Sequence, residues 1–280
     1  MHAGVTVNDD PVYVRKIRTV QHLGRTHFKV RTATATYFYD PIAGGFSSVI
    51  DKLGNDWIAY RDDTTAVYPA AAATAYRGLP NLVFGGKDDG AGHPGSQKCE
   101  SRVTRRNQIT TVSYSGEWEW RWTFYRSYAK LEVLKTPADR KYWFLYEGPV
   151  GGRYLPRSTF WATDLSEPSY EIRDHYRDQV ERGQFRYLLF GEDHSPYALF
   201  LKQKSPDTVP DHVSYLGNEE IGAANSPDGM IVAGFGRAAG ATPLLTGPQT
   251  FYVGLLRYNV ADPLSIRRAR RRLNKLGRKR

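Results

Sequence analysis

The sequence predicts an all-β protein of antiparallel sheets packed as a sandwich, with few and short helices. The first observation is the run Glu117–Tyr125. Trp118, Trp120, Trp122 and Phe124 fall on one face of an extended strand, and Glu117, Glu119, Arg121 and Thr123 on the other. Side chains alternate with period two along a strand, and this run keeps that period without a break. A strand with one aromatic and one charged face belongs to an antiparallel sheet lying over a thick core or a ligand groove. The second observation is composition: the 280 residues are 40% hydrophobic and 13% aromatic, with 19 Tyr, 12 Phe and 6 Trp. That buries a sizeable core and argues against disorder. The third is punctuation: 26 Gly and 16 Pro are spread along the chain, as turns between many short strands require.

The elements follow in order. Residues 1–30 read as an N-terminal strand or extension, 31–262 as one β-sandwich domain and 263–280 as a basic C-terminal tail. Thr32–Tyr39 alternates small and aromatic residues and reads as a strand. Ser47–Ile50 leads into Asp51–Asp56, a turn-rich hairpin. Residues 85–96 form a glycine-rich loop. Further strands are expected near 110–115, 117–125, 129–135, 142–147, 186–190, 197–202, 229–235 and 250–257. This spacing favours a β-sandwich over a βαβ protein. Helix is expected over Ser169–Arg182, from Tyr170, Ile172, Tyr176 and Val180, and from Asp262-Pro263 onward, where Pro sits in a first turn.

The formal net charge of +10 is local. Arg267, Arg268, Arg270, Arg271, Arg272, Lys275, Arg278, Lys279 and Arg280 are nine cations with no acid between them. Of 39 basic residues, 30 lie outside this run, against 29 acidic ones. The domain is near neutral, and the tail reads as a partly helical solvated terminus able to grip a polyanion. Cys99 is the only cysteine, so an intrachain disulfide is ruled out and a thiolate metal site is not expected. No apolar run reaches the about 18 residues of a membrane span. Residues 1–20 lack the apolar stretch of a signal peptide. The expected location is cytoplasmic, or secreted or periplasmic if a signal has been removed. Phosphate-loop, nucleophile-elbow, zinc-protease and dinucleotide signatures are absent.

Two neighbouring loops carry the densest polar cluster. Tyr76-Arg77-Gly78-Leu79-Pro80-Asn81 is followed twelve residues later by His93, framed by Gly92 and Gly95. Arg77 offers a planar fork for a carboxylate, Asn81 an amide, and His93 a proton exchanged near neutrality. Glycine beside His93 lets backbone and ligand approach closely. Glu192-Asp193-His194, with Lys202 and Lys204 on the next strand, is a second polar group, weak as a metal signature and well explained by a hairpin turn. His212, beside Asp211 and Tyr215, reads the same way. Arg237, after Gly234-Phe235-Gly236, reads as a strand-end Arg and a second carboxylate clamp. The aromatic face, Trp120 among it, suits packing and also stacking on sugar rings.

The segments Gly44–Trp57, Arg77–Asn81 and Gly92–Gly95 resemble, in order and spacing over residues 30–150, the early part of galactose-mutarotase-like β-supersandwich proteins. That superfamily includes aldose epimerases and sugar-binding domains, and polysaccharide lyases carry related folds. The resemblance implies an antiparallel β-supersandwich with Arg77 and His93 facing a sugar. The epimerases place a second histidine on a later central strand as general acid. The matching segment, Trp143–Gly148, has none, so Tyr146 and Glu147 become the acid/base candidates, on opposite faces of their strand. Arg153 lies in the glycine-rich loop that follows.

The resulting expectation is a carbohydrate-active enzyme on an oligo- or polysaccharide, foremost a lyase eliminating at uronate units. Arg77 and Asn81 would neutralise the carboxylate, His93 would be the base and Tyr146 the acid. Arg153, His194, Lys202, Arg237 and Trp120 would add substrate contacts. No metal and no cofactor is needed. The alternatives are a mutarotase or epimerase using His93 with Glu147, a glycoside hydrolase with two facing carboxylates, and a carbohydrate-binding module.

Overall fold

The computed structural model describes Val14, residues 16–63 and residues 73–277. Most of the first thirty residues' leading half, and Arg278, Lys279 and Arg280 of the tail, lie outside the described residues. The chain runs β1 (Arg18–His22), β2 (Arg25–Arg31), β3 (Ala35–Asp40), β4 (Gly45–Asp51), α1 (Ala73–Tyr76), β5 (Cys99–Arg105) and β6 (Gln108–Ser113). Then come β7 (Glu119–Phe124), β8 (Ala129–Lys135), β9 (Phe144–Gly148), β10 (Thr159–Thr163), β11 (Glu181–Gly183) and β12 (Tyr187–Glu192). The last elements are β13 (Ala198–Gln203), β14 (Asp211–Leu216), β15 (Met230–Phe235), β16 (Arg237–Ala238), β17 (Thr242–Pro243), β18 (Thr250–Leu256) and α2 (Pro263–Lys275).

An eight-stranded antiparallel sheet, ordered β10-β12-β13-β18-β8-β7-β6-β5, forms one layer. Two four-stranded sheets, β1-β2-β3-β4 and β11-β14-β15-β9, face it. A short extended segment joins those two sheets. Leu79 bridges to Phe46 of β4, and Gly78 to Glu147 of β9. The main-chain bonds are Phe46 N–H to Leu79 O at 2.7 Å, Gly78 N–H to Glu147 O at 2.8 Å and Leu145 N–H to Pro80 O at 2.8 Å. The molecule is therefore a two-layered β-sandwich with residues 78–80 at the seam of one layer.

Alternation along β7 sends Trp120, Trp122 and Phe124 inward, with Trp118 just before the strand, and all four are buried. Trp122 meets Phe46 across the layers edge to face at 4.8 Å, and Phe144 stacks on Phe251 at 4.5 Å. Each such ring contributes both its buried area and about 0.5–1.5 kcal/mol of geometry-dependent attraction. Gly44, at φ +79°, sits against this core, where a Cβ would lie 2.5 Å from the Trp120 ring.

Two expected elements differ. Ser169–Arg182 is not a helix: it is extended apart from a single 3-10 turn at His175–Arg177 and ends in β11. Asp174 is the reason. Its carboxylate accepts from Tyr176 N–H at 3.1 Å and from the distant Ala223 N–H at 2.8 Å, and its backbone bridges to Tyr215. A short acidic side chain that bonds nearby and remote N–H groups competes with helix formation.

The basic tail is not a solvated appendage over its described part. Asp262 caps α2 by accepting from Leu264 N–H at 2.9 Å and Ser265 N–H at 3.0 Å, with Pro263 in the first turn, as its sequence suggests. The helix then docks on the outer face of the eight-stranded sheet. Ile266, Ala269, Leu273 and Leu276 are buried there among Phe200, Tyr252 and Leu256. At the other end, β2 crosses residue 30 without a break and pairs with both β1 and β3.

Candidate functional site

The seam segment places the site. Leu79–Pro80 is a cis peptide, and Asn81 follows at φ +47°. Asn81 N–H donates to Gly92 O at 3.2 Å, which brings the 85–96 loop alongside. Gly92 needs to be glycine: φ is +94°, and a Cβ would lie 2.8 Å from the Leu82 backbone nitrogen. Gly78 is equally confined, since its Cβ would fall 2.5 Å from Asn81 Oδ1. β9 and β15 pair with Glu147 opposite Val232, and β15 runs on through Gly236 to Arg237.

These elements enclose a cavity of about 570 Å³, with Asn81, His93, Trp143, Glu147, His175 and Arg237 on its walls. Glu147 Oε2 accepts from Asn81 Nδ2, and Arg237 Nη1 stands 3.8 Å from Oε1. The Arg237 guanidinium lies over the Trp143 ring at 5.4 Å, a cation–π geometry. Trp143 Nε1–H donates to Asn81 O, and its ring meets Phe84 at 4.9 Å. Tyr76 and Phe84, both exposed, also line the cavity. Together with Trp143 they make part of the lining aromatic beside its polar groups.

The polar part of the lining is incompletely paired. Asn81 Oδ1, Arg237 Nε and His93 Nε2 are buried without a hydrogen-bond partner. Buried polar atoms are nearly always bonded, so three on one cavity mark a place for a polar ligand. Burial pushes Glu147 up to about 7, against the opposing pull of the Arg237 charge and the Asn81 amide. Burial likewise holds His93 down to about 4, partly offset by the Tyr76 backbone. His175 is also held at about 4, by burial and then by the Arg237 charge. At neutral pH the site thus has two neutral imidazoles and one carboxyl group near its midpoint. The Gly95 N–H donates to His93 Nδ1 at 3.1 Å, so the His93 proton resides on Nε2. Among the described residues, no group of three or more His, Cys, Asp or Glu side chains gathers as a metal site would require.

No protein-family model matches the chain, and no curated protein matches its sequence. Solved structures do match its shape. The protein HI1317 superposes with a TM-score of 0.54 at 9% identity, over 86% of this chain and 96% of its own. YeaD from Salmonella typhimurium, assigned provisionally to the mutarotases, gives 0.52 at 7% identity, over 86% and 93%. A galactose mutarotase related enzyme from Lactobacillus acidophilus gives 0.50 at 8% identity, over 88% and 98%. The chain has the galactose-mutarotase-like fold. At these identities the likeness is one of fold alone.

Within that fold the structure brings together Asn81, His93, Glu147 and Arg237. It does not bring the other sequence candidates to them. Arg77 turns away from the cavity, donating at 2.5 Å to both Asp228 Oδ1 and Gly229 O, so its carboxylate is the protein's own. Tyr146, on the opposite face of β9 from Glu147, is fully buried and donates to Trp57 O at 2.5 Å. Trp120 is core, its Nε1–H given to Tyr39 OH at 3.1 Å. Lys202 caps the C-terminal end of α2, donating to Leu273 O and to Leu276 O at 2.8 Å. The exposed His194 sits on the β12–β13 turn, and Arg153 on the surface; neither lines the cavity. His212, expected on a turn, is buried within β14.

Sequence reading missed His175 and the Trp143–Phe84 wall. His175 occupies the segment read as helix, and only the Asp174–Tyr215 pairing, across forty residues, delivers it to the site. No local pattern signals that pairing. Trp143 had a weak signal: it shares a strand entry with Glu147 and so can share its wall.

Proposed function

We propose that this cavity interconverts the anomers of an aldose sugar, as a mutarotase or 1-epimerase does. The observation that carries the reading is Glu147, a buried carboxyl group near its midpoint at neutral pH, joined through Asn81 to the loop that presents His93. Ring opening needs a base at the anomeric hydroxyl and an acid at the ring oxygen. In this reading the Glu147 carboxylate takes the hydroxyl proton. The O–H electrons form the C1 carbonyl, the bond from C1 to the ring oxygen breaks, and that oxygen, stabilised by a hydrogen bond from the neutral His93 Nε2–H, receives the proton from Glu147 through water. Rotation about C1–C2 and the reverse transfers close the ring on the other face. Trp143 and Phe84 supply a surface for the C–H face of the sugar, and Arg237 and Asn81 bind hydroxyl groups. The fold shared with mutarotase-type proteins supports this reading by analogy only.

Elimination at a uronate unit is less well supported. It assigned the clamp to Arg77 and the acid to Tyr146, and both lie outside the cavity wall. Polarimetry on freshly dissolved α-anomers of a panel of aldoses tests the proposal. Acceleration of equilibration, lost in His93→Ala and Glu147→Gln, supports it. Release of unsaturated uronate from acidic polysaccharides, read by ultraviolet absorbance, would favour the lyase. Sugar binding without turnover would favour a binding module.

A further inference from the structure

We propose that Ser214 and His212, neither of which lines the cavity, are positioning residues that hold the proton of His175 on Nε2 and so make His175 a second hydrogen-bond donor to the cavity. The observation is a chain of three side chains running inward from the wall. His175 Nδ1 lies 3.1 Å from Ser214 Oγ, and His212 Nε2 lies 2.8 Å from the same oxygen. The two rings are 5.8 Å apart at 62°. Ser214 and His212 are buried, whereas His175 faces the cavity. His212 Nδ1 is buried with no partner, and His175 Nε2 has none among the described residues.

A serine hydroxyl has one proton, so it can donate to only one of two imidazoles and must accept from the other. The two rings are therefore tied to opposite roles at Ser214. If Ser214 donated to His212, the His212 proton would sit on Nδ1, a buried N–H with nothing to receive it. If Ser214 donates to His175, His212 carries its proton on Nε2, and only a lone pair is left bare at Nδ1. Bare buried N–H groups are the rarer of the two. The order is thus His212 Nε2–H to Ser214 Oγ, Ser214 O–H to His175 Nδ1, and His175 Nε2–H to the cavity. His93 reaches the same state by another route, through the Gly95 N–H. The cavity then offers two neutral imidazole hydrogen-bond donors and one carboxylate base. That consequence rests on the anomer-exchange reading; the tautomer assignment does not.

Long-range proton–nitrogen NMR on the full chain with 15N-labelled histidine tests it without substrate. The His175 and His212 signals are identified by their loss in His175→Gln and His212→Gln. The expected result is a protonated Nε2 and an unprotonated Nδ1 on both rings near neutral pH. A His175 proton on Nδ1, or rapid averaging between tautomers, would overturn the proposal. In Ser214→Ala the His175 ring should lose its preference and average, and kcat should fall about 10-fold with KM little changed, as loss of an orienting partner does. A Ser214→Ala protein that keeps the wild-type His175 signals also overturns it. A wild-type chain with the expected tautomers and no turnover of any sugar would sink the functional reading and leave the relay standing.

Discussion

At the scale of single residues, the proposed reaction turns on Glu147. Its folded value of about 7 lies above its ordinary 4.5 because burial penalises the charged form. Below about pH 4.5 the carboxyl group is protonated in both folded and unfolded chains and costs nothing. As pH rises to about 7 the unfolded chain ionises while the folded one holds its proton, so stability falls. Above about 7 the penalty is complete, on the order of 3 kcal/mol at about 1.4 kcal/mol per pH unit. Glu147→Gln should therefore gain stability relative to wild type as pH climbs from 4.5 to 7.5, read by urea unfolding at several pH values. A constant difference across that range would contradict the assigned burial. As a base the group must be ionised, so kcat/KM should rise through a single step near pH 7. His93 and His175, neutral above about 4, add no second step there. Asn81, His93, Glu147 and Arg237, each singled out in the sequence beside glycine, proline or a strand end, line one cavity. Arg77 was misread because Asp228, its partner, lies 151 residues away in sequence, and no local rule pairs them.

Among the elements, β7 and α2 show what pattern reading captures and what it loses. The period-two stripe of β7 was readable because a buried face must be apolar along its whole length. Which sheet covers it was not, and this is why a sugar-stacking role for Trp120 stayed open beside the favoured core packing; its partner Tyr39 places it in the core. For α2, charge hid the apolar row: Ile266, Ala269 and Leu273 recur at helical spacing between arginines. Leu273→Ala should cost about 2–5 kcal/mol, as for other buried leucines, measured by denaturant unfolding. A change below about 0.5 kcal/mol would mean that the helix does not dock. Docking leaves Arg267, Arg268, Arg271 and Lys275 exposed on the far side. We propose that this face binds polyanions. Replacing the four by Gln should weaken retention on heparin, with a salt dependence that flattens because exposed charges are screened within about 8 Å at physiological salt. Unchanged elution would remove the role while leaving the helix in place.

For the whole molecule, the seam between the two four-stranded sheets fixes where the candidate cavity lies. Residues 78–80 join β4 to β9, and the same stretch carries Asn81 and anchors the His93 loop. The sandwich class follows from strand spacing alone, whereas the seam depends on pairings between distant strands that no window of sequence contains. The seam also couples fold to site. Gly92→Ala forces a Cβ against the Leu82 backbone at positive φ, and should cost about 1–3 kcal/mol. It should lower turnover further still, because displacement of Asn81 misplaces Glu147. A Gly92→Ala protein of normal stability and undiminished turnover would show that the loop is not held as described. The central claim, that Glu147 and His93 act together on a sugar anomer, is tested most directly by polarimetric rates of α-to-β equilibration for wild type, Glu147→Gln, His93→Ala and the double variant. The account predicts acceleration by wild type, a loss of about 10²–10⁴-fold in each single variant, and a double variant little worse than either. Folded wild-type protein that leaves the spontaneous rate of every aldose unchanged, or single variants that keep full turnover, would contradict it.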